Sequence, residues 1–141
     1  MSAQEEAPRL GYFVIIIGLL MLGYIVLTLS HHEEAAERLG ELITIVVMAV
    51  VSYWLGYSQR RVTIIKSKPN FDKQYAHVTK EYVKRLGYMA IGFGIALIVQ
   101  HAVLFGIDLS FSELLLGHEW IGLYCLVTGM VMIGLAKRIP A

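Results

Sequence analysis

Long apolar runs separated by short charged segments constrain this chain more than any other feature. Gly11–Thr28, Leu42–Tyr57, Leu86–Gly106 and Trp120–Leu135 contain no Asp, Glu, Lys or Arg. A helix needs about 20 mostly apolar residues to cross a hydrocarbon core of roughly 30 Å, and each run reaches that length with a few flanking residues. Charged residues make up 16% of the 141 residues, against about 25% in an ordinary soluble domain. The expectation is an all-α integral membrane protein, a bundle of four transmembrane helices in a single domain over residues 1–141. The spans are placed at about 11–29, 40–58, 85–106 and 118–136, with helices two and three extended into a cytoplasmic helical stub over 59–84. The start, MSAQEEAPR, carries two glutamates against one arginine. A signal peptide starts with positive charge, so the first run reads as a retained span. Cys125 falls within the fourth run and reads as a packed thiol.

Charge sets the expected orientation. Arg60, Arg61, Lys66, Lys68, Lys73, Lys80, Lys84 and Arg85 crowd between the second and third runs, opposed only by Asp72 and Glu81. Arg9 precedes the first run, and Lys137 and Arg138 follow the fourth. Glu33, Glu34, Glu37, Glu41, Asp108, Glu113 and Glu119 occupy the other two turns, offset by Arg38. Lysine and arginine favour the cytoplasmic side. Both termini are therefore expected inside, with the plasma membrane as the expected location.

Arg-Leu-Gly-Tyr occurs at 9–12 and again at 85–88, each time entering an apolar run, and each run is followed by Ser-x-x-Glu. A serine at a helix N-cap accepts from the N3 amide while the N3 glutamate reaches back to the cap. Ser30 and Ser110 are therefore expected to cap helices two and four, and the chain reads as two helical hairpins in parallel repeat. With Ser30 as cap, Glu33, Glu37 and Glu41 share one helix face as an acidic stripe. On the other side, Asn70 is the expected cap of helix three, with Phe71, Tyr75, Val78 and Tyr82 as its apolar stripe. Small residues let helices approach closely in lipid, which makes Ser52, Gly56, Gly92, Gly94, Gly122 and Gly129 the candidate packing positions.

Chemistry is sparse. Counting ~1.5 Å per residue from the basic boundary puts Glu41, His101, His118 and Glu119 at similar depth near the outer edge. An ionisable residue at membrane depth is costly and marks a candidate site, so these four are the candidate ion or metal ligands. The spans carry no midplane carboxylate of the kind a proton-coupled transporter uses, and no H-x-x-x-H spacing or catalytic motif is present. The basic residues are accounted for by topology, which leaves none to argue for nucleic acid. The expected function is non-enzymatic and needs no cofactor: a homo-oligomeric assembly or an accessory subunit of a larger membrane complex, with the bilayer, further copies or other membrane subunits as partners. A small cation channel or transporter with an acidic outer vestibule is the alternative. A haem- or metal-binding redox subunit, requiring His101 and His118 to converge, is the second.

Overall fold

The computed structural model describes residues 3–68, 70, 72–107 and 118–140; side chains are described from Tyr12 onward, except that of His118. The described residues form helices and no strands: α1 (Ala3–Leu29), α2 (Glu33–Ser67), α3 (Lys73–Phe105) and α4 (His118–Lys137). Each is long and apolar enough to cross a membrane. At 1.5 Å per residue, the 35 residues of α2 and the 33 of α3 extend about 50 Å, roughly 20 Å more than a hydrocarbon core. The chain divides into two compact units, Met1–Val47 and Met48–Ala141, and α2 contributes to both.

In the first unit, α1 buries little beyond Ile17 and Tyr24, while Tyr12, Ile15, Leu19, Leu22, Val26 and Leu29 are exposed. Its C-terminus differs from expectation. His31 takes the left-handed conformation (φ 60°), its N–H donates to Thr28 O, and the His32 N–H donates to Leu27 O. That pair of bonds is a Schellman stop, a position that usually takes glycine and sometimes asparagine. Ser30 is consequently the C-cap of α1, its N–H donating to Val26 O, and not the cap of α2. The first carbonyl of α2 to accept is that of His32, from Ala36 N–H at 2.9 Å. The expected cap loses because the left-handed residue ends one helix and starts the next within two positions, leaving no room for an N-cap at 30. Ser110 and Glu113 lie outside the described residues.

The second unit is organised around α3. Its buried residues Ala76, Thr79, Val83, Leu86, Ala90, Gly94, Leu97 and Gln100 recur at steps of three and four. This stripe lies one position round from the expected one, and Tyr75, Val78 and Tyr82 flank it half-buried. Asp72, not Asn70, caps the helix: its carboxylate accepts from Gln74 N–H at 2.9 Å. Glycines weld α3 to α4. A Cβ on Gly94 would lie 2.5 Å from Gly122 O, and one on Gly129 would lie 2.6 Å from Gly87 O. Seven residues separate Gly87 from Gly94 and Gly122 from Gly129, nearly two full turns, so each pair occupies one face. Gly92 stands 200° from Gly94, and a Cβ there or on Gly56 or Gly134 would meet nothing within 4 Å. Gly92 and Gly56 are therefore not seam positions here, and Ser52 is exposed, its hydroxyl 2.6 Å from that of Tyr124.

Where α2 meets α3 and α4, Val62, Ile65, Ala76 and Ile139 form a buried cluster with Leu135 against it. Ile139 reaches it because the chain turns after α4, Arg138 N–H donating to Leu135 O and Ile139 N–H to Ala136 O. Trp54 stacks on Phe93 at 5.9 Å, and Tyr57 meets Tyr82 edge-on at 5.6 Å. Ser58, Thr63 and Ser67 return their hydroxyls to Trp54, Gln59 and Ile64 carbonyls of their own helix, satisfying donors without a partner helix.

Candidate functional site: a buried histidine–glutamate pair

The second unit carries its ionisable pair at the end remote from the α2–α3 connection. His101 lies in the last turn but one of α3, and Glu119 in the first turn of α4. Antiparallel helices joined through the glycine seam bring those two turns together. Nδ1 of His101 lies 2.5 Å from Oε1 of Glu119, with side chains 22% and 3% exposed. With Glu119 ionised, Nδ1 carries the proton and donates to the carboxylate. Glutamate in the first turn of α4 also complements the helix dipole. Phe105, one turn further along α3, covers the imidazole at a ring distance of 5.1 Å. Gln100 is buried beside His101 in sequence.

A carboxylate on Nδ1 fixes the orientation of the ring, an arrangement also found at metal-ligating imidazoles. A metal needs further ligands converging on it. Among the described residues, no group of three or more His, Cys, Asp or Glu side chains could hold a metal ion. What the described atoms do is hold α3 to α4. A buried pair of this kind contributes little net stability compared with apolar packing, but losing one partner is costly.

Two of the four expected layer residues are brought together. His101 and Glu119 meet; Glu41 is an exposed residue of the first unit; His118 begins α4 with its side chain outside the described residues. In the first unit, Glu33, Glu37 and Glu41 are all exposed on α2. Beside them, Arg38 bonds Glu34 at 2.6 Å, both side chains largely exposed. His32, Glu33, Glu34, Ala35 and Arg38 line an open surface depression. Cys125 is buried within α4.

The helical extensions at the basic end were expected, but the contacts that close it were not. Arg61 donates to the Tyr75 hydroxyl, its guanidinium 5.0 Å from the centre of the Tyr57 ring and 6.0 Å from that of Tyr75. Arg61 and Tyr75 are 14 apart in sequence, and nothing short of the helix register could pair them. Ile139, two residues beyond the last helix, gave no periodic signal at all. Compared with protein families, curated proteins and solved structures, the chain matches none.

Proposed function

We propose that this chain is a non-enzymatic integral membrane protein that acts as an assembly subunit, associating with copies of itself or with other membrane subunits. The supporting observation is where its polar chemistry is spent: the buried His101–Glu119 pair joins α3 to α4, while α1 leaves most of its apolar side chains uncovered. Uncovered apolar surface is what a spanning helix offers to lipid or to a neighbouring helix, and association there runs on packing and interhelical bonds. In this reading four spans form two hairpins, with both termini and the 59–84 stub in the cytoplasm, since those segments hold nearly all the lysines and arginines.

Light scattering on the detergent-purified chain tests the assembly role. A mass of several chains, matched by cross-linking in intact membranes, supports homo-oligomers; instability relieved by co-purifying subunits supports the accessory role. A stable monomer, uncross-linked in membranes, sinks both. A second reading, a cation channel, draws on the exposed carboxylates of Glu33, Glu37 and Glu41, because a ring of carboxylates concentrates cations. Cation flux into liposomes that falls in the triple glutamine variant would favour it over assembly.

A further inference from the structure

Three helices of the second unit end their apolar runs with a cation, and the structure brings those ends to one level. Arg60 follows Tyr57, which packs on Tyr82, and precedes Val62 and Ile65, which pack with Ala76. Arg60 therefore stands alongside the 76–82 stretch of α3. On α4, the seam sets Ile133 beside Gly87, and Ile139 joins the cluster with Ala76. Lys137 and Arg138 between them are held level with Lys80, Lys84 and Arg85. The tail is pinned there by Ile139, which is 2% exposed. Arg60, Arg85, Lys137 and Arg138 are exposed. Lys84 reaches Glu81 only at 4.0 Å with both side chains about half exposed.

We infer that Arg60, Lys84, Arg85, Lys137 and Arg138 form a cationic collar that binds the phosphate groups of anionic phospholipids. The inference rests on the membrane-spanning reading above and goes beyond it, because orientation needs only charge on one side, whereas binding needs charge gathered at one height. Each of the three helices turns from apolar to basic at this level, which is where a bilayer's phosphates begin, directly outside the hydrocarbon. Tyr88, one turn inward on α3 and 56% exposed, is an interfacial anchor at the same border. An acidic protein would instead favour Lys66, Lys68 and Lys73, which lie further out around the α2–α3 connection.

The test uses the full chain in nanodiscs of phosphatidylcholine with a minority of phosphatidylglycerol. After extraction into detergent and washing, the retained lipid is quantified by mass spectrometry. A lysine or arginine at an anionic surface contributes about fivefold in binding, so phosphatidylglycerol should be retained several-fold above its share. Exchanging Arg60, Lys84, Lys137 and Arg138 for glutamine should bring retention to the bulk ratio, while exchanging Lys66, Lys68 and Lys73 should leave it enriched. Should the first variant fail to fold, 1 M KCl applied to the wild type should abolish the enrichment, since it shortens screening to about 3 Å. Retention at the bulk ratio in the wild type, or equal loss in both variants, overturns the collar. Loss only on exchanging Lys66, Lys68 and Lys73 overturns it in favour of an acidic partner at the outer tip. Release of the chain from membranes by alkaline carbonate would instead overturn the membrane reading itself.

Discussion

The two ends of the Met48–Ala141 unit are held together on opposite principles. At the α2–α3 connection, stability is shared among Val62, Ile65, Ala76, Ile139 and the Arg61–tyrosine contacts, any one of which can be weakened while the others remain. At the other end, a buried histidine–glutamate pair joins α3 to α4. Apolar contacts degrade by degrees, whereas an ion pair in a low-dielectric setting fails when either member is removed. The glycine seam lies between the ends, where a Cβ on Gly87, Gly94, Gly122 or Gly129 would meet the facing helix.

His101→Ala should have the largest effect. It removes the imidazole that Glu119, 3% exposed, bonds, and losing one partner of a buried pair costs about 3–5 kcal/mol, seen as a lower thermal midpoint in detergent. A His101→Leu, Glu119→Met double variant should recover most of that loss; if it melts as low as the single variant, the pair is not the source of the fragility. Gly94→Ala comes next, at about 3 kcal/mol, the upper range for overpacking, because its Cβ would meet backbone, Gly122 O at 2.5 Å. Gly92→Ala is the control: nothing lies within 4 Å, and it should be neutral or stabilise by about 0.5 kcal/mol. At the distributed end, Ile139→Ala should cost about 2 kcal/mol, the low end for a buried isoleucine, since a residue beyond the end of its helix can relax. A cost equal to that of His101→Ala would erase the contrast between the ends. Smallest is Arg38→Ala in the first unit, about 0.3 kcal/mol for an exposed pair whose side chains are 77% and 80% exposed.

The legible part of the fold was what composition and period carry. Four helices of spanning length follow from runs without charge, and the extension of α2 and α3 past those runs follows from charge patterned on a helix. Helix ends were less legible. Ser30 and Glu33 have the spacing of a capping box, yet His31 in a left-handed conformation ends α1 there first. Asn70 and Asp72 are both good caps, and only the position of the first helical turn chooses between them. Of the candidate site, depth counting placed His101 and Glu119 at one height but could not say which faces they occupied, because spans that are apolar all round carry no signal of facing.

Interhelical register is the quantity that separates the two kinds of knowledge. Transfer of a helix into hydrocarbon depends on the sum of its side chains, and a sum can be read from the chain in order. Which of Gly92 and Gly94 touches α4, whether His101 finds Glu119, and whether Ile139 folds back onto Ala76 depend on rotation and offset between helices. Those are fixed by contacts between residues far apart in sequence, at distances where a shift of one position turns a side chain through 100°. A linear reading therefore ends at four helices of spanning length with charge segregated between their ends, and the packed structure chose the seam and the histidine–glutamate pair.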